Sequence, residues 1–184
     1  EDNQAAIVRL SYCPANPVRR IALVGKGICH DSGGYNLKVG GSMYGMHLDM
    51  GGSAVALAAD TTVESDVDAA LDAFARATGC PAPTGLVANA GIVRFGPLGA
   101  VSIEDWRAVV DVNLTGTFIT ARAVANRMMT AGVRGSIVTV TSMNGVAPGP
   151  NAGAYGASKA AVALLTQQMA IEWGPHGIRV NAVA

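Results

Sequence analysis

Neither sign of charge predominates in this 184-residue chain, because thirteen basic residues balance thirteen acidic ones. A nucleic-acid surface or a polybasic membrane patch needs a basic excess, so neither partner is expected. Charged residues are scarce at 14%, while half of all residues are hydrophobic, which favours a buried core over disorder. Long apolar runs are missing too: nothing approaches the roughly 18 residues of a membrane-spanning helix. There are three cysteines, Cys13, Cys29 and Cys80, odd in number and without CxxC spacing. A disulfide framework or cysteine-rich zinc site is therefore not expected, and a reducing cytoplasmic location is. The chain opens Glu1-Asp2-Asn3-Gln4, without initiator Met or signal-peptide pattern, and reads as an excised or engineered piece. Its length suits one domain or two small ones.

Glycine is abundant, and it divides the chain. From Gly25 to Gly52 glycines crowd into one loop-like stretch; beyond Asp60 they stand singly at element ends. The change suggests a join near residue 60. Upstream, Ile21–Val24 reads as a strand, and the segment 53–59 reads equally as a helix by its alanines or a strand by its alternation.

Downstream, helices and apolar strands alternate. Thr62 is placed to cap a helix whose apolar face is Val67, Ala70, Leu71 and Phe74, with Gly79 as its stop. Leu86–Ala88 reads as a buried strand, and Ser102 to Asp105 as a capping box opening one long helix to about Thr130. The β-branched run Ser136–Val140, a helix from Tyr155 to Trp173 and a strand Ile178–Val183 complete the pattern. Such alternation predicts an α/β fold with a parallel sheet covered on both faces. Val87, Val109, Ile137, Val138, Leu164 and Val180 are the expected core.

Tyr155 and Lys159 stand four apart on one helix face. An ammonium beside a phenol favours the phenolate, so such a pair suits proton exchange with an alcohol or carbonyl oxygen. Tyr-x-x-x-Lys is common by chance, but its company here is specific. Ser142 follows a strand, where open α/β sheets place ligands, and Asn89-Ala90-Gly91 follows another. With Asp60, Val112-Asn113, Tyr155-Gly156-Ala157-Ser158-Lys159 and Arg179-Val180-Asn181, these motifs make residues from about 60 to 184 resemble the short-chain dehydrogenases/reductases. The resemblance implies a Rossmann-like three-layer parallel sheet, here incomplete at both ends. It also implies NAD or NADP as cofactor and an alcohol or carbonyl as small-molecule substrate. Tyr155 would be the acid/base; Lys159 would lower its pKa and hold the cofactor ribose. Ser142 would bind the substrate oxygen, and Asn113 would support a proton-relay water. Asp60 would contact the adenine, while Asn89, Ala90 and Gly91 would line the cofactor cleft.

The chain also departs from that family. The pattern Thr-Gly-x-x-x-Gly-x-Gly, whose glycines admit a pyrophosphate to a helix N-terminus, is absent; Gly25-Lys26-Gly27-Ile28-Cys29-His30 stands after the first strand. That stretch continues with Asp31-Ser32-Gly33-Gly34, then Lys38 and Asp49-Met50-Gly51. This wording resembles the leucyl aminopeptidase family of dinuclear zinc exopeptidases over residues about 18 to 59. It implies Lys26, Asp31 and Asp49 as ligands for zinc or manganese and Lys38 as a transition-state electrophile. The Asp-x-Glu-Gly-Arg segment that supplies that family's other ligands is absent, and zinc wants about four ligands. His30, His47 and His176 share no ligand spacing.

The sequence thus reads as a chimera, with an aminopeptidase-like segment at 1–59 and a reductase-like segment at 60–184. The first functional expectation is NAD(P)-linked hydride transfer between alcohol and carbonyl, impaired by the missing glycine-rich cofactor loop and C-terminus. A metal-dependent aminopeptidase fragment and a non-catalytic scaffold are the alternatives, and self-association is left open.

Overall fold

The computed structural model describes residues 6–8, 22–24 and 56–184. In chain order these form β1 (Ala6–Val8), β2 (Ala22–Val24), β3 (Ala56–Ala58), α1 (Glu64–Thr78) and β4 (Gly85–Ala88). There follow α2 (Ile103–Val110), α3 (Gly116–Thr130), β5 (Gly135–Val140), α4 (Gly153–Trp173) and β6 (Ile178–Val183). Strands β2, β4, β5 and β6 make a four-stranded parallel sheet in that order. The α/β parallel-sheet architecture is therefore as expected.

Successive crossovers from β4 to β5 to β6 run in one direction, so the right-handed rule places α2, α3 and α4 on one face. Consistent with this, α1 packs on α3 and α3 on α4. Among the described residues no helix covers the opposite face. Burial follows the same asymmetry: Ile178 and Val180 are buried while Arg179 and Asn181 are exposed. Leu86 pairs with Ile137, and Ile137 with Val180, so three buried side chains cross the sheet in one row. Met128, Val124 and Met169 close over them from the helices. Fully burying such side chains contributes about 1.5–3 kcal/mol each.

The expected core needs correction on one helix. Val109, Ile137 and Val180 are buried, Val87 and Val138 half-buried, but Leu164 is exposed. On α4 the inward stripe runs through Val162, Thr166 and Met169 instead. Thr166 earns its place by bonding: its hydroxyl donates to the Val162 carbonyl and meets the Thr139 hydroxyl of β5, both at 2.7 Å.

Ser102 does cap α2, accepting from the Asp105 amide and donating to its carboxylate, each at 3.0 Å. Thr62 does not cap α1. The cap position is Val63, and the Thr62 hydroxyl and amide both donate to Asp60 Oδ1. Gly79 ends α1 with φ of 67°, a left-handed conformation that costs glycine little. The segment before Asp60 is a strand, but it pairs antiparallel with β1; the neighbour of β4 on that side is β2.

Candidate active site

The expected single helix from 103 to 130 is interrupted. Between α2 and α3, residues Asp111–Thr115 form one π-helical turn. Such a turn carries an extra residue per turn and frequently marks functional positions. Here it holds Asn113, which is fully buried. Its side-chain amide spans three partners. Asn113 Oδ1 accepts from the Ile92 amide at 2.7 Å, and Nδ2 donates to the Ile92 carbonyl at 2.9 Å and to Ser158 Oγ at 3.0 Å. Ser158 in turn donates to the Tyr155 carbonyl at 2.7 Å. One side chain thereby ties the loop after β4 to the first turns of α4.

The loop after β5 is pressed onto the same turns. A Cβ on Gly145 would lie 2.9 Å from the Lys159 carbonyl carbon and the Ala160 nitrogen, and one on Gly156 would lie 2.8 Å from the Asn144 carbonyl oxygen. Both positions therefore need the smallest residue to permit contact of backbone with backbone. Ser142, at the end of β5, accepts from the Asn144 amide at 3.2 Å and so starts the turn. On the other flank the Gly96 amide donates to the Asn151 carbonyl at 2.9 Å, anchoring the β4 loop to the entry of α4.

These constraints place Ser142, Tyr155 and Lys159 around a cavity of about 390 Å³ beyond the C-terminal ends of β4 and β5. Asn89 and Gly91 line it as well, with Ile92, Val93 and Phe95 as its apolar wall. Lys159 is 4% exposed, and its Nζ donates to the Val140 carbonyl at 2.7 Å and lies 5.8 Å from the centre of the Tyr155 ring. Burial lowers the Lys159 pKa from its ordinary value of 10.5, because desolvation penalises the ammonium. Gly91 leaves room for this arrangement: a Cβ there would sit 3.3 Å from Asn113 Oδ1 and 3.4 Å from Lys159 Nζ.

Four of the expected residues are thus brought together directly or through one contact: Asn113, Ser142, Tyr155 and Lys159. Asn89 and Gly91 join them, and Ala90 is buried beside them in sequence without lining the cavity. Asp60 is exposed and bonded into the turn before α1, accepting from Thr62 while its amide donates to Asp66. Lys26, Asp31, Lys38 and Asp49, with His30 and His47, lie outside the described residues. His176 is exposed. Among the described residues no group of three or more His, Cys, Asp or Glu side chains could hold a metal ion. A larger cavity of about 590 Å³ lies between α1 and α3, away from the strand ends. Its arginines are engaged with carboxylates, Arg122 with Glu64 and Arg127 with Asp68 and Asp72.

Two positioning groups were missed in the sequence. Ser158 lies between Tyr155 and Lys159 and bridges Asn113 to the Tyr155 carbonyl, and Ile92 contributes only its backbone, which no side-chain pattern announces.

A cavity at the ends of parallel strands, carrying Ser, Tyr and Lys and braced by a buried Asn, matches one family by sequence as well. Residues 42–184 match the family model described as short chain dehydrogenase. The chain belongs to the short-chain dehydrogenases. An "Inactive 2-(S)-hydroxypropyl-CoM dehydrogenase 2" from Xanthobacter autotrophicus is 42% identical over 135 residues, covering 73% of this chain and 57% of that protein. Among solved structures, an NAD+-bound xylitol dehydrogenase is similar with a TM-score of 0.64 and 37% identity, over 68% of this chain and 48% of that one. A gluconate 5-dehydrogenase from Burkholderia cenocepacia in complex with NADP and tartrate has a TM-score of 0.62 and 39% identity, over 67% and 47%. The chain spans about half the length of the relatives it matches. A second model, described as the cytosol aminopeptidase family catalytic domain, matches residues 2–78 and overlaps the first over residues 42–78. No described helix is long and apolar enough to cross a membrane.

Proposed function

We propose that this short-chain dehydrogenase chain carries the catalytic half of an NAD(P)-dependent oxidoreductase acting between alcohols and carbonyls. The observation that carries the reading is the Lys159 ammonium, buried and bonded to the Val140 carbonyl beside Tyr155, in a cavity that Ser142 also lines. Tyr155 is the acid/base that exchanges a proton with the substrate oxygen. Lys159 supplies the positive charge that favours its phenolate. Ser142 offers a hydroxyl to the same oxygen, and Asn113 holds the two walls in register.

The residues present fit a nicotinamide nucleoside on this side: Asn89 and Gly91 give a small-residue cleft, and the Lys159 ammonium has donors beyond the one given to Val140. NAD or NADP, when bound, supplies the hydride. Similar proteins are described as binding one or the other. Asp60 and Ala90 are proposed to complete the cofactor side. The substrate is a small alcohol or carbonyl compound, and the apolar wall of Ile92, Val93 and Phe95 favours an uncharged one.

We further propose that residues 1–59 are an aminopeptidase-type segment joined to the reductase-type segment 60–184, a reading supported by the aminopeptidase match over residues 2–78. Metal-dependent peptidase chemistry is the lesser reading, because Lys26, Asp31 and Asp49 alone leave zinc short of ligands. Exposed Leu164 and Ile171, one heptad apart on α4, favour self-association. The cysteine usage favours a cytoplasmic location. The direct test is carbonyl-dependent oxidation of NADH and NADPH at millimolar cofactor across a carbonyl panel, with Ser142→Ala lowering the rate. Silence across the panel would favour a non-catalytic scaffold.

A further inference from the structure

Most polar side chains around the cavity at the strand ends already have a partner or a role. The Thr141 hydroxyl donates to the Val183 carbonyl at 2.9 Å and Lys159 Nζ to the Val140 carbonyl, while Ser142 and Tyr155 are assigned to the reacting oxygen and Asn89 to the cofactor side. Asn144 is left over. It lines the same cavity two residues after Ser142 and is half-buried. Its backbone is pinned on both sides. The amide donates to Ser142 Oγ at 3.2 Å, and the carbonyl oxygen lies against Gly156, where a Cβ would come within 2.8 Å. Another glycine gives its side chain room: a Cβ on Gly149 would sit 3.1 Å from Asn144 Oδ1. Among the described residues no hydrogen bond engages the Asn144 carboxamide, which carries both an acceptor and two donors. The cavity is therefore two-sided. The loop after β5 and α4 supply its polar groups, and the loop after β4 supplies the apolar Ile92, Val93 and Phe95.

We infer that Asn144 is a specificity-determining residue, and that the cavity takes ketones and secondary alcohols bearing a hydroxyl on the carbon next to the reacting one. The inference rests on the oxidoreductase reading for the roles of Ser142 and Tyr155. Those two side chains hold the reacting oxygen. The Asn144 carboxamide then meets the neighbouring hydroxyl, accepting from it at Oδ1 or donating to it from Nδ2, and the remaining carbons lie along Ile92, Val93 and Phe95. A plain ketone puts carbon against the carboxamide, which loses its bonds to water and gains none in return. Discrimination thus comes from the penalty on the analogue as well as from the new bond. Because the Asn144 backbone is held before any ligand arrives, little ordering is lost on binding.

The probes are 1-hydroxyhexan-2-one and hexan-2-one, which differ by one hydroxyl. Each is titrated against the full chain, without nicotinamide, by saturation-transfer NMR. The hydroxy ketone should bind more tightly, on the order of fivefold. Asn144→Ala and the nearly isosteric, apolar Asn144→Leu should each bring the ratio of the two dissociation constants to unity. Phe95→Ala should instead weaken both ligands and keep the ratio. Equal binding of the two ketones by the parent, a preference that survives both Asn144 substitutions, or binding of neither ketone would overturn the inference. The outcome is separable from the oxidoreductase reading. A chain with an Asn144-dependent preference that oxidises no NAD(P)H refutes only that reading, and one that oxidises NAD(P)H with both ketones at equal kcat/KM refutes only this inference.

Discussion

Removing the Asn113 side chain tests whether one amide holds the site together. Asn113→Ala deletes three hydrogen bonds at 2.7, 2.9 and 3.0 Å. The orphaned groups differ in their access to water. Ile92 is half-buried, so solvent can reach its amide and carbonyl in part; Ser158 is 2% exposed but keeps its bond to the Tyr155 carbonyl. With a net ~0.5–1.5 kcal/mol per bond, the loss should total about 2–4 kcal/mol. For a chain of this size that is a fall in Tm of roughly 5–15 °C. Asn113→Asp gives a sharper result. A carboxylate still accepts from the Ile92 amide but turns an acceptor toward the Ile92 carbonyl, and its burial raises its folded pKa. A raised folded pKa means that stability is fully present below the unfolded value near 3.9 and is lost as pH rises through the folded value. The variant should therefore fall further behind the parent between mildly acidic and neutral pH. Urea unfolding followed by Trp106 and Trp173 fluorescence measures both, and hydrogen exchange at the Ile92 amide reports the local bond. An Asn113→Ala chain within ~0.5 kcal/mol of the parent, with Ile92 still protected, would refute the reasoning.

Three further outcomes follow from the same geometry. Gly145→Ala forces a Cβ to 2.9 Å from the backbone of α4, so the loop and helix must part; urea unfolding should show a loss of about 1–3 kcal/mol, and an unchanged midpoint would contradict the close packing. Because burial lowers the Lys159 pKa, the unfolded chain holds that proton more tightly, and parent stability relative to Lys159→Met should rise from neutral pH toward the ordinary lysine value of 10.5. A flat or falling difference in paired urea titrations would remove the desolvation argument. The Thr-Gly-x-x-x-Gly-x-Gly pattern is absent, so fluorescence titration with NADH or NADPH should find no tight site; a submicromolar dissociation constant would mean that another segment supplies the missing donors.

The strand and helix order was legible because it rests on period and punctuation. Ser102 and Gly79 did what their chemistry predicts at helix ends, and β5 and β6 followed their β-branched runs. Leu164 failed because periodicity on an apolar, alanine-rich helix does not single out a face; α4 has hydrophobic residues on several sides, and tertiary contacts chose Val162, Thr166 and Met169. Thr62 is not the cap because its amide and hydroxyl both donate to Asp60 Oδ1, which holds it in the preceding turn and leaves Val63 at the cap position. The π turn at Asn113 left no mark in the pattern. Within it the Asn113 side chain reaches Ile92 and Ser158 at once, partners distant in sequence. Tyr155 and Lys159 were found by their spacing, whereas the Val140 carbonyl that receives Lys159 is backbone and invisible to residue type.

Tyr155→Phe tests the central claim most directly, since it removes the transferable proton and keeps the ring. Carbonyl-dependent oxidation of NADH or NADPH should be measurable in the parent chain at millimolar cofactor and fall by about 10²–10⁴ in the variant, with the unfolding midpoint unchanged. Equal turnover by parent and variant would contradict the assignment of catalysis to this site.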